Sequence, residues 1–175
     1  MEADDIRAEM DRARSDFHAL LADATVGELR RPSRGTRWTN EQLLFHMLFG
    51  YLVVRVLLFL VRGFSRLPRS VSKTFAAGLD AATTPFHVVN YVGSLGGARV
   101  LGYAGMEHMM DRVVRSLQAS LARESGTALQ RGMHFPAGWD PYFQDFMTLR
   151  EVYHYATQHY DHHRRQLTIA ATAGP

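Results

Sequence analysis

The stretch LLFHMLFGYLVVRVLLFLV, residues 43–61, restricts the possible folds more than any other part of the chain. Its 19 residues are interrupted only by His46, Gly50 and Arg55, so a helix built from them is apolar nearly all round. About 20 apolar residues suffice to cross a bilayer, and a membrane span is therefore one reading. Arg55 opposes it, because arginine near the centre of a span costs roughly 2.5–3.5 kcal/mol. A helix that is apolar all round also serves as the buried member of a bundle. The rest of the chain supplies helices that need such a partner, so the expectation is a core or dimer-facing helix with no membrane role.

The partners are legible from spacing. Ile6, Met10, Ala13, Phe17 and Leu20 form one stripe on a helix over residues 3–22. A linker follows from Val26 to Arg37, with Pro32 and Gly35. In W-T-N-E-Q-L, Thr39 and Gln42 are placed as a capping box, with Trp38 and Leu43 as a hydrophobic staple, so the apolar helix starts here and ends near Gly63. Residues 64–97 carry Pro68, Pro85 and several glycines; two short helices, SVSKTFAAGL and PFHVVNYVG, are expected within them. A third long helix covers about 98–122, with Met106, Met110, Val113 and Leu117 on one face. The long connection SGTALQRGMHFPAGWDPYF is a candidate functional loop. A second capping box, Thr148 with Glu151, opens a last helix expected to run to about Ala170. No strand alternation stands out. The prediction is all-α: a single domain over residues 1–175, a four-helix bundle with crossover connections and short extra helices between the second and third long ones.

Composition narrows function. No cysteine is present, which removes disulfides and thiolate ligands. The pI is near 9.5, but the formal net charge is only +3 and Lys73 is the only lysine. The arginines are scattered rather than gathered into a basic strip, so no nucleic-acid partner is expected. The acidic, helical start MEADDIRAEM lacks the pattern of a signal peptide, which makes a cytoplasmic protein the expectation. Nucleophile-elbow, phosphate-loop and dinucleotide motifs are absent from the sequence.

The histidines carry the functional signal. Three of nine fall in QHYDHHRRQL, residues 158–167. Leu149, Val152, Ala156, His159, His163, Gln166 and Ala170 follow a 3-4-3-4-3-4 spacing, a core-facing seam. At about 100° per residue, His159 and His163 lie about 40° apart, one turn from each other. His162 sits about 60° to one side of His159 and His154 about 140° away. Such an i, i+4 pair lets two ring nitrogens converge on one ion. The alternative is two core histidines hydrogen-bonded to tyrosines and backbone. His46, in the second turn of the apolar helix and without charged neighbours at helical spacing, is the candidate third ligand. Tyr155, His162 and Gln166 are candidates for the pocket or for the partners of the ligand rings. His18, His87, His108 and His134 are expected at the surface or in supporting roles.

At these residues the chain resembles the DinB/YfiT-like superfamily of bacterial metal-dependent four-helix-bundle proteins. The matching pieces are WTNEQLLFHMLFG (38–50), GWDPYF (138–143) and MTLREVYHYATQHYDHHRRQL (147–167). The last resembles the family's closing H-x-x-H-H-R-x-Q-L signature, with Arg165 where glycine is usual. The resemblance implies His46, His159 and His163 as ligands of a divalent metal ion, zinc or nickel before iron or manganese. It also implies a homodimer and an activity on small molecules. Characterised relatives of this kind include bacillithiol and mycothiol transferases, a mycothiol-dependent isomerase and metal-assisted hydrolases. The leading expectation is transfer of a low-molecular-weight thiol, mycothiol-like, onto an electrophile. Metal-assisted hydrolysis and a non-catalytic binding or dimerisation module with a vestigial site are the alternatives.

Overall fold

The computed structural model describes residues 2–169. Helix α1 spans Ala3–Asp23 and buries Ile6, Met10, Ala13, Phe17 and Leu20, the stripe its spacing predicts. The linker contains one helical turn, α2 (Val26–Leu29), capped by Thr25. Helix α3 (Asn40–Phe64) begins at the expected box: Thr39 Oγ1 accepts from Gln42 N–H, and Gln42 Oε1 accepts from Thr39 N–H at 3.1 Å. Its most apolar window is 56% buried. Leu43, Leu44, Met47, Leu48, Tyr51, Val54, Leu58 and Val61 form the inner face, while Arg55, Val56 and Phe59 are exposed.

Helix α4 (Arg69–Ala81) is the first of the two expected short helices. The second is longer than expected and leads to the third long helix across Gly102; the two segments, residues 83–101 and 103–121, are together labelled α5 (Thr83–Leu121). Within it only Gly102 leaves helical geometry, at φ 61°, ψ −178°, a region open essentially to glycine. Contacts with α3 show what this residue does. Before it, Ser94 meets His46, and Phe86 shares a cavity with Leu57, so α5 runs against α3. Beyond it, Tyr103 lies near Glu41, and Ser120 bonds Arg62, so α5 runs with α3. One glycine reverses the helix's sense along its neighbour.

The long connection contains α6 (Gly126–Leu129) and two three-residue strands, β1 (Gly132–His134) and β2 (Phe146–Thr148). They pair antiparallel, with Met133 opposite Met147. Strands this short leave no alternation for a sequence to show. Helix α7 (Leu149–Arg164) is capped by the predicted Thr148–Glu151 box. It stops before the expected end. Residues 165–169 leave the helix because the chain docks elsewhere: Gln166 C=O accepts from Arg34 N–H, and Thr168 N–H donates to Asn40 Oδ1. Ala170 lies outside the described residues.

Helices α1, α3, the second half of α5, and α7 make the bundle. Helix α1 is parallel to α7, tied by Arg12–Asp161 at 2.7 Å, Tyr160 OH to Asp16 at 2.7 Å and Arg164 to the same carboxylate at 2.8 Å. Helix α3 is antiparallel to α7, with Tyr51 beside Thr157 and Arg62 donating to Tyr153 OH. One apolar cluster joins all four, from Ile6 and Leu48 to Met110 and Val152.

Candidate metal centre

Where α3 and α7 run side by side, His46, His159 and His163 come together. Their ring centroids are 4.6–4.9 Å apart in every pair. Each offers one nitrogen, and these nitrogens all lie within 4.8 Å of one another. An ion bound at about 2.0–2.1 Å from each requires only a small inward movement of the rings. Such closeness depends on Gly50. A Cβ placed there would stand 3.0 Å from His159 Nε2 and nearer still to its Cδ2.

Hydrogen bonds decide which nitrogen faces the others. His159 Nδ1–H donates to Asp140 Oδ2 at 3.0 Å, and His163 Nδ1–H to Gln166 Oε1 at 2.7 Å. Ser94 gives its own hydroxyl hydrogen to Asn90 C=O, so its oxygen accepts from His46 Nδ1–H at 3.3 Å. All three Nδ1 atoms are engaged, which leaves the Nε2 lone pairs for a shared partner. His159 Nε2 is buried and has no partner within the protein. An orphaned acceptor of this kind is rare and calls for a ligand. The donor set fits a divalent ion: three neutral imidazoles without a fourth protein ligand among the described residues form an open site rather than a closed one.

Burial above all keeps two of the rings, His46 and His163, neutral. Burial, then the neighbouring His159 and His163, hold His46 well below the ordinary histidine value. Burial and His159 push His163 down to about 3. Burial pushes the Asp140 carboxyl up, but the hydrogen bonds it accepts from His159, Tyr142 and Tyr155 outweigh it and hold the group below its usual range, so it is a carboxylate at neutral pH. Tyr155 is raised well above its ordinary value, by burial and then by Asp140, and stays a donor: its hydroxyl lies 2.9 Å from Asp140 Oδ2.

The three rings border a cavity of about 210 Å³. Trp38, Phe49, Val53, Leu57, Phe86, Trp139 and Phe143 make its walls largely aromatic and apolar. Trp38 stacks on His46 with centroids 4.4 Å apart, and Phe86 on Trp139 at 3.8 Å. Trp139 Nε1–H donates to Leu79 C=O at the end of α4, which fixes the loop that carries Asp140.

Of the residues singled out from sequence, the structure joins His46, His159 and His163, and sets Tyr155 and Gln166 against them. Gln166 does so from the turn after α7, not from the helical seam on which its spacing placed it. His162 does not line the cavity, but its ring packs edge-on against His163 and its Nδ1 is 3.5 Å from Tyr142 OH. His87, expected at the surface, is exposed and also borders the cavity mouth. Sequence reasoning missed Asp140 and Ser94 as partners of the rings; the hints were that Asp140 belongs to the long loop and to the GWDPYF piece.

Fold and centre define a class: helical bundles that gather three imidazoles from two helices beneath an apolar cavity. The family model of the DinB superfamily matches residues 9–167. The chain belongs to the DinB superfamily. No curated protein and no solved structure gives a significant match.

Proposed function

We propose that this chain is a divalent-metal-dependent enzyme, with His46, His159 and His163 as ligands, that joins a low-molecular-weight thiol to an electrophilic small molecule. The observation that carries the reading is the common orientation of the three imidazoles. Each Nδ1 is engaged by Asp140, Gln166 or Ser94, and Nε2 is left at an open, mostly apolar cavity. A divalent ion, zinc or nickel before iron or manganese, supplies a Lewis acid that favours thiolate over thiol near neutral pH.

The chain's own residues do the rest. Asp140, Gln166 and Ser94 fix the ring orientations, and the aromatic walls exclude water and receive a flat apolar acceptor. In the reaction a sulfur–carbon bond forms as a carbon–halogen or epoxide carbon–oxygen bond breaks. The thiol proton departs with the halide or ends on the opened epoxide oxygen. We also propose that two copies pair through the apolar side chains that α3 leaves exposed, Val56 and Phe59; sedimentation of the wild type and Phe59→Ser checks this.

The test is metal analysis of protein purified without a histidine tag, followed by thiols screened against haloarenes and epoxides beside His163→Ala. Metal-dependent, thiol-dependent turnover absent from the variant is expected. Turnover without thiol reassigns the centre to hydrolysis, and wild-type protein that takes up no metal removes the reading.

A further inference from the structure

Two features of the cavity go beyond holding an ion. Asp140 is the only acidic side chain lining it among the described residues, and neither lysine nor arginine lines it. Asp140 Oδ2 faces His159 Nδ1 and the Tyr155 hydroxyl, and Oδ1 accepts from Tyr142 N–H at 2.9 Å. Its oxygens are occupied by donors, the environment of a carboxylate. The second feature is Trp38. Its Nε1–H is buried without an acceptor in the protein, although its ring borders the cavity, stacks on His46 and meets His163 at 77°. Buried donors without acceptors are rare.

We propose that Asp140 and Trp38 make the loaded centre selective for one monoanionic ligand. A doubly charged ion with one carboxylate behind it leaves a net charge of +1 among apolar walls. An unbalanced charge there is costly, and a single monoanion cancels it where a dianion overshoots. The Trp38 N–H donates to that anion. Asp140 is a positioning residue, acting through His159; Trp38 touches the ligand. The inference rests on the metal reading above and narrows the exogenous ligand to species such as a thiolate, hydroxide or small carboxylate.

The test uses cobalt-loaded full-length protein, with azide as the monoanion and sulfate as the dianion, followed by the visible spectrum of the cobalt. Wild type is expected to bind azide and not sulfate. Asp140→Asn, which keeps the shape and removes the charge, should lower metal affinity about 10–100-fold and tighten azide about tenfold. Trp38→Phe keeps the stack and removes the donor; metal affinity should hold while azide weakens about tenfold. A merely structural role for either residue would not move azide affinity in opposite directions. Azide affinity unchanged in both variants, or sulfate bound by wild type as tightly as azide, overturns the proposal while leaving the metal reading intact. Should Asp140→Asn fail to fold, an unchanged azide affinity in Trp38→Phe is sufficient to overturn it. Wild type that binds no cobalt removes both.

Discussion

Gly50 and His159 occupy one space: no side chain fits at position 50 while the imidazole lies where it does, with Nε2 3.0 Å from the Cβ that any other residue would carry. Glycine inside a helix is unfavourable by about 1 kcal/mol relative to alanine, so α3 gives up local stability for this approach. Gly50→Ala should therefore keep its helical content but displace the His159 ring. Metal affinity is expected to fall at least about tenfold, read by chelator competition beside circular dichroism. An alanine variant that binds metal as wild type does would show that the ring has another seat.

Acid should destabilise the metal-free protein through the same rings. His46 and His163 are neutral in the folded state because their values are lowered, that of His163 to about 3, while in the unfolded chain both titrate near the ordinary 6.5. Below that pH the unfolded state binds more protons, so stability is fully present above about 6.5 and falls as pH drops toward 3. The expected slope is about 1.4 kcal/mol per pH unit for each histidine. Urea unfolding at pH 7, 6 and 5 measures it, and His163→Asn should make the dependence shallower.

Gly102 isolates a pure backbone effect. Its φ of 61° with ψ of −178° is unfavourable for any residue with a Cβ, yet nothing lies within 4 Å of the position a Cβ would take. Gly102→Ala should lower stability by about 1–3 kcal/mol with no steric contribution. A melting curve identical to wild type would contradict the reversal assigned to this residue.

At the far end of the bundle, Arg62 donates to Glu124, to Ser120 Oγ at 2.8 Å and to Tyr153 OH at 3.0 Å, joining α3, α5 and α7. Arg62→Ala leaves Glu124, whose side chain is 13% exposed, without this cation. The guanidinium is itself partly exposed, so screening reduces the effect to about 1–3 kcal/mol. The double variant Arg62→Met, Glu124→Leu should recover most of that loss in a thermodynamic cycle, with metal binding unaffected.

Spacing made part of this architecture legible. The stripe on α1, the two capping boxes and the His159–His163 seam are local periodicities, and each occurs where the sequence places it. Three features resisted for a shared reason. Asp140 and Ser94 reach the rings through tertiary contact from a loop and from the first half of α5, and no spacing on α7 encodes them. The end of α7 is set by docking onto Arg34 and Asn40, which overrides a pattern that could have continued. The glycines between 64 and 97, where the sequence points only to two short helices, are accommodated within longer ones; Gly97, for example, lets the Phe45 ring press against α5. Gly50 was visible in the sequence as a break in an apolar run, but its meaning needed the opposing imidazole.

The reversal at Gly102 also divides labour between the two halves of α5. Phe86, His87 and Asn90, ahead of it, border the cavity; Met106, Met110, Val113 and Leu117, beyond it, fill the bundle interior. Substitutions that reshape the chamber can therefore accumulate on the leading half while the trailing half keeps the scaffold intact. Such a chain can change what its chamber admits without refounding its architecture.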